Sequence, residues 1–284
     1  MTQPPGATDA AITFKNVDII FGDTPQKALP LVDQGKTRDE ILKTTGQVLG
    51  CAGVSLKVER GEICVLMGLS GSGKSTLMRA VNGLNRVARG RVLVATADGN
   101  IDITSCSDAD LRKIRRNNCS MVFQQFALLP WRSVRENVAF GLEIRGTAPE
   151  DINRIVEENL TTVGLSQWAD KLTDELSGGM QQRVGLARAL ATNPDILLMD
   201  EPFSALDPLI RSKLQDELID LQARVNKTIL FVSHDLSEAI KIGRHIAIMD
   251  GGHIVQHGRP EDIIASPANE YVAEFVSHIS ETGQ

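Results

Sequence analysis

Gly68-Leu69-Ser70-Gly71-Ser72-Gly73-Lys74-Ser75-Thr76 is a glycine-rich turn that closes on a lysine and two hydroxyls. Glycines at that spacing let the backbone wrap around phosphate oxygens, so that successive N–H groups point inward at a helix N-terminus. In such a loop Lys74 reaches the β- and γ-phosphates of a nucleoside triphosphate, and the Ser75 hydroxyl ligates Mg²⁺. Much further on, Asp200-Glu201 closes the apolar run 196–199. An acid at the end of a strand holds Mg²⁺ opposite a phosphate loop, so Asp200 pairs with Ser75, and Glu201 is placed to polarise a water towards the γ-phosphate. Alone, either carboxylate reads equally well as a strand-end cap; the upstream loop gives them their task. Ser177-Gly178-Gly179 precedes a helical pattern with Val184, Ala187 and Leu190 inward, and offers a hydroxyl and free N–H groups as a second anion site. Two such sites serve one nucleotide only if they converge, or if two copies of the chain face each other. His234 follows an apolar run; alone it is either a satisfied core histidine or a catalytic group.

The elements around these residues have the patterns their positions require. Ile63-Cys64-Val65-Leu66-Met67 is the longest unbroken apolar run and reads as a buried strand entering the loop; Leu77, Val81 and Leu84 mark the inner face of the helix leaving it. The runs 196–199 and 228–232 read as further buried strands. Asp207 and Pro208 supply an N-cap and first turn for a helix with Leu214, Leu218 and Leu221 inward. Asp235 with Glu238 reads as a capping box. Residues 11–14 and 17–21 look like one or two opening strands, 54–58 another, and 91–94 with 101–103 a hairpin. From about Arg135 to Asp174 the pattern is helical, and the segment 22–50 holds two short helices around Gln34-Gly35.

The 284 residues are 42% apolar and 23% charged, ordinary for an α/β chain, and a net charge of −6 leaves no basic excess for nucleic acid. No apolar run approaches the length of a membrane span, and Met1-Thr2-Gln3-Pro4-Pro5-Gly6 lacks the marks of a signal peptide. Residues 1–10 are expected to be a disordered tail. Cys51, Cys64, Cys106 and Cys119 show no metal-ligand spacing and fit a reducing compartment. Arg112, Lys113, Arg115 and Arg116 read as a solvated basic helix face.

A phosphate loop alone leaves kinase, GTPase and ATPase open. The order phosphate loop, Val122-Phe123-Gln124, Leu176-Ser177-Gly178-Gly179, Asp200-Glu201-Pro202, Ser204-Ala205-Leu206-Asp207 and Ser233-His234-Asp235 resembles that of the ATP-binding cassette (ABC) ATPases along nearly the whole chain. The resemblance implies an α/β P-loop NTPase fold: a RecA-like core, an antiparallel β subdomain and an inserted helical subdomain. The nucleotide-binding domain is expected over 11–258, with a family-type helical insertion at 23–50, a helical subdomain at about 125–180 and a short helical extension at 259–284. It also implies ATP and Mg²⁺ as ligands and a head-to-tail dimer with two ATPs between facing copies. By that likeness Gly68, Ser70, Gly71, Ser72, Gly73, Lys74, Ser75 and Thr76 bind nucleotide from one copy, and Ser177, Gly178 and Gly179 from the other. Gln124 senses Mg²⁺ and the attacking water, His234 contacts the γ-phosphate and orients Glu201, Asp207 bridges the subunits, and Phe21 stacks on adenine or belongs to the core. Met180 departs from the glutamine usual in the family, and methionine donates no hydrogen bond to a sugar.

A single cassette with no membrane segment implies separate transmembrane permease subunits, an indirect link to a substrate-binding protein, no nucleic acid partner, and a place on the cytoplasmic face of the bacterial inner membrane. The aromatic run Phe126-Ala127-Leu128-Leu129-Pro130-Trp131 reads as core or as a docking surface for a partner; the resemblance favours the permease. The 22–50 segment looks like the insertion of glycine betaine, proline betaine and choline importers, and residues 122–132 look most like choline-importer ATPases. Relatives in that group carry C-terminal regulatory domains; the sequence has no length for them after Tyr271, so osmotic sensing through this chain is not expected unless it is truncated. The alternative class is an ABC ATPase of repair, assembly or translation, whose coiled coil, tandem cassettes or basic face are not found.

Overall fold

The strand β3 (Ile63–Met67), buried at all five residues, lies inside a six-stranded sheet of order β10-β9-β3-β8-β7-β6. Its parallel neighbours are β8 (Thr228–Ser233) and β9 (His245–Asp250); β7 (Ile196–Asp200) and β6 (Cys119–Val122) continue the parallel order, and β10 (His253–Gly258) closes one edge antiparallel. Strands buried on both faces need continuous apolar runs, which is what these strands have. A second, antiparallel sheet of order β2-β1-β4-β5 comprises β1 (Ala10–Phe21), β2 (Val48–Glu59), β4 (Arg89–Thr96) and β5 (Gly99–Asp102). The computed structural model describes residues 10–124, 127–204 and 206–282. Of the expectations above, residues 1–9 of the tail, Phe126 of the aromatic run and Ala205 lie outside the described residues.

Alternation along the parallel strands divides the core. Cys64, Leu66, Leu198, Leu230 and Val232 face α3 (Lys74–Val81) and the antiparallel sheet through Leu77, Met78 and Val81. Val65, Met67, Met199 and Phe231 face the opposite side, packed by α8 (Pro208–Val225), α9 (Leu236–Ile242), α10 (Pro260–Ala265) and α11 (Glu270–Thr282). The 259–282 stretch therefore contributes to the main core, through Ile263 and Val272. A separate helical cluster joins α5 (Val134–Arg145), α6 (Pro149–Thr162) and α7 (Gly178–Ala191) through Val138, Leu142, Val156, Leu160 and Val184. Its core runs on to Ala191, past the expected limit near 180, because α7 is shared with the sheet.

Other differences have local causes. Leu84 lies beyond α3 and is exposed, since the helix ends at Val81. The 22–50 segment forms a 3₁₀ turn, α1 (Leu29–Asp33) and α2 (Arg38–Thr45), but Val48, Leu49 and Gly50 already belong to β2, paired with the end of β1. The insertion is anchored by Ile41 among Ile20, Leu49 and Ala52, and by Arg89, which pairs with the buried Asp18 and with Asp33 at 2.7 Å. The basic face of α4 (Asp108–Asn117) is only partly solvated: Arg115 donates to the Asn82 and Gly83 carbonyls, and Arg116 to those of Ile144 and Arg145. Burial pushes the Cys51 and Cys119 thiols up to about 12 and Cys64 higher still, so these three do not form thiolates near neutral pH.

The Asp235 capping box is half formed. Asp235 accepts from the Glu238 N–H, but the Glu238 side chain turns inward, accepting from Ser233 Oγ at 2.5 Å and Gln215 Nε2 at 3.0 Å. Burial outweighs these donors and holds the Glu238 carboxyl above its ordinary 4.5. A carboxyl raised on folding contributes stability below pH 4.5, and this is lost as the pH rises through its folded value. Glu238→Gln keeps the shape without the buried charge. It should raise the melting temperature at pH 7.5, with the gain shrinking as the pH approaches 4.5; an equal effect at both pH values would reject the account.

Candidate functional site

The C-terminal ends of the parallel strands carry the chemistry: β3 leads into the glycine-rich loop, β7 into Asp200-Glu201, β8 into Ser233-His234, and β6 towards Gln124. Ligands in open α/β sheets bind at these ends because the loops and helix N-termini converge there. The loop packs tightly against β9. A Cβ on Gly68 (φ +146°) would come within 2.1 Å of the Met249 carbonyl oxygen, so only glycine fits. The first amides of α3 have no carbonyl within the helix to accept them, and no side chain caps them. That is an anion seat.

Lys74 is buried, and its Nζ donates to the Gly68 and Leu69 carbonyls at 2.8 and 2.9 Å. Burial lowers its pKa, against the pull of Glu201 and Asp200. Ser75 Oγ donates to Asp200 Oδ1 at 2.6 Å, and Arg79, one turn along α3, holds the other Asp200 oxygen at 2.8 Å. Glu201 has a left-handed backbone (φ +45°), a strained conformation of the kind stored at working sites, and His234 Nδ1 lies 3.2 Å from its Oε2. Gln124 Nε2 donates to Ser204 Oγ, which donates to the Glu201 carbonyl. One open cavity of about 560 Å³ is lined by Phe21, by Ser70, Gly71 and Gly73 to Thr76 of the loop, and by Gln124 and Glu201; Ser72 is buried behind it. Phe21 is 41% exposed, and a Cβ on Gly50 would meet both its ring and Thr76, so the ring stands beside the loop rather than in the core.

Ser177, Gly178, Gly179 and Asp207 do not line this cavity. Ser177 caps α7 by accepting from the Met180 N–H, and Asp207 caps α8 by accepting from the Ile210 N–H at 3.0 Å. Gly178 and Gly179 lie against Leu206 and Ile210, so these two motifs are neighbours of each other. Within one chain the two anion sites do not converge. The Met180 side chain packs on the helical cluster instead of facing outward as a donor.

Several residues of the site had no signal in the pattern. Arg38, Asp39 and Leu42 of the insertion and Val48 of β2 wall the cavity. Tyr271 of α11 accepts from the Leu69 N–H at 3.2 Å and donates to the Met249 carbonyl. Arg79 alone was legible, since it lies four residues after Ser75 on one helix face. Trp131 is 73% exposed, and Leu129, two residues before it, lines an open groove of about 410 Å³ with Met121, Phe123, Phe140 and Ile144.

The fit to Mg²⁺ rests on donor chemistry. A serine hydroxyl and a carboxylate oxygen in contact suit a hard cation that keeps few protein ligands and fills its sphere with phosphate and water. Among the described residues no cluster of three or more His, Cys, Asp or Glu could cage a metal without such help.

The family model described as ABC transporter matches residues 51–204. The chain is 53% identical over 264 residues to the glycine betaine/proline betaine transport system ATP-binding protein ProV of Escherichia coli (strain K12). The match covers 93% of the chain and 65% of that relative, so the chain spans about two thirds of the relative's length. It is 51% identical to the glycine betaine/carnitine transport ATP-binding protein GbuA of Listeria monocytogenes serotype 1/2a (strain 10403S), over 94% of the chain and 66% of that relative. Among solved structures, an ATP-binding cassette in a dimeric post-hydrolysis state bound to ADP and Pi superposes with a TM-score of 0.72 at 30% identity. It covers 88% of this chain and 98% of that one. No helix among the described residues is long and apolar enough to cross a membrane.

Proposed function

We propose, from the premise that this chain belongs to the ABC transporter family, that it is the ATP-hydrolysing subunit of an importer for a small quaternary ammonium compound. One observation carries the reading: Lys74, Ser75, Asp200, Glu201 and His234 meet at one end of one sheet, beside an exposed phenylalanine. Phe21 stacks on adenine, the loop amides and Lys74 hold the phosphates, and Glu201 takes the proton of the attacking water as the bond from the γ-phosphorus to the ADP oxygen breaks. His234 orients Glu201. Mg²⁺, held by Ser75 and Asp200 with Gln124 near, supplies charge neutralisation on the phosphates.

A second copy completes the site. Ser177–Gly179 and Asp207 stand apart from their own chain's cavity, as parts built to meet a partner's nucleotide would. ATP-driven closure of two copies then pulls separate permease subunits, docked around Trp131 on the cytoplasmic face of the inner membrane, from inward- to outward-facing. Permease and binding protein, not this chain, touch the substrate. The substrates named for the relatives above favour glycine betaine; choline is the second reading, on the likeness of residues 122–132.

The test is the chain purified with its membrane partners, reconstituted in lipid with any separate binding protein, and assayed for ATP turnover. Glycine betaine should stimulate turnover more than choline, and chelation of Mg²⁺ should abolish it. Greater stimulation by choline would transfer the substrate assignment. Recovery of an active chain with no membrane partner would overturn the transporter reading.

A further inference from the structure

The outward carbonyls of the phosphate loop are closed by named donors. Those of Gly68 and Leu69 take Lys74, that of Gly73 takes the Leu77 N–H and Cys51 Sγ, and that of Ser72 takes the Gly252 N–H at 3.0 Å. Gly71 and Ser72 also receive the guanidinium of Arg38, which sits at the first position of α2 in the insertion. The same group bonds the Gly50 carbonyl in β2, so one side chain ties the insertion, the antiparallel sheet and the loop together. Thr37 and Glu40 form a complete capping box that fixes the start of α2, and Ile41 is wholly buried, so Arg38 projects from a rigid base.

We infer that Arg38 is a positioning residue for nucleotide: it braces the phosphate loop from behind, and so makes the insertion a working wall of the ATP site. This rests on the nucleotide-binding reading above. Two cations hold the loop. Lys74 gives two of its three ammonium donors to the Gly68 and Leu69 carbonyls and keeps the third for a phosphate, whereas Arg38 is committed to the Gly71, Ser72 and Gly50 carbonyls. It fixes the Gly71 and Ser72 carbonyls, and so holds Gly71 (φ +79°) and Gly73 (φ +110°) in left-handed geometry before ligand arrives. A planar fork can span three carbonyls; a lysine ammonium is a point charge on a mobile stem.

The experiment compares ADP affinity by calorimetry, and the KM and kcat for ATP, in the full chain and in Arg38→Ala, Arg38→Lys and Lys36→Ala. Lys36 is an exposed insertion residue that pairs with Glu40, away from the loop carbonyls, and its loss should leave nucleotide binding unchanged. Arg38→Ala should weaken ADP binding and raise the KM for ATP about tenfold or more, with kcat at saturating ATP within about threefold of wild type. Arg38→Lys should recover less than half of the loss on a logarithmic scale, and decides the matter alone if the alanine variant does not fold. ADP binding within twofold of wild type in a folded Arg38 variant would overturn the inference. Failure of the wild-type chain to bind ADP or ATP would instead overturn the reading on which it rests.

Discussion

Glu201→Gln should slow ATP turnover about a hundred- to ten-thousand-fold while leaving ATP binding intact. In the proposed mechanism this carboxylate is the base, its orientation set by a left-handed backbone and by His234 Nδ1 at 3.2 Å. Glutamine keeps the size and an acceptor oxygen but cannot take a proton from water. With binding spared and hydrolysis stopped, the two-copy closed state should accumulate. Addition of ATP and Mg²⁺ should therefore shift the variant, but not the wild type, to a stable dimer by light scattering. Phosphate release is the primary readout, and hydrolysis at the wild-type rate would remove Glu201 from the mechanism.

Lys74→Ala should weaken nucleotide binding about a hundredfold and with it all turnover. The ammonium is already desolvated where it lies, and burial lowers its pKa, so little further desolvation is required when its third N–H meets a phosphate. Alanine removes that charge and the lysine donor to the Gly68 and Leu69 carbonyls, of which that of Leu69 still accepts from the Ser72 N–H at 3.1 Å. Calorimetric titration with ADP measures the loss. A melting temperature close to wild type would assign the defect to the site rather than to the fold, and unchanged ADP affinity would contradict the role of Lys74. The contrast with Arg38 is informative: loss of Lys74 removes a ligand to phosphate, loss of Arg38 only a support behind it.

What the sequence determined by itself was local or strictly ordered along the chain. The phosphate loop and its strand, the acids at the end of β7, the cap at Asp207 and the buried strands all declare themselves because each depends on neighbours within a few residues. The order of motifs carried the fold and the family, since order survives any folding path. Tertiary structure alone decided the rest. That Phe21 stands exposed beside the loop rather than in the core depends on Gly50, 29 positions away, leaving room for its ring. That Glu238 turns inward, when its spacing reads as a capping box, depends on Gln215 and Ser233 offering buried donors. That the basic face of α4 is partly spent on carbonyls depends on the ends of α3 and α5 arriving beside it. Arg38 and Tyr271 reach the loop from 33 positions before Gly71 and 202 after Leu69. No periodicity or spacing encodes such contacts: a hydrogen bond between distant residues exists only once packing has brought donor and acceptor within reach, and packing is a property of the whole chain.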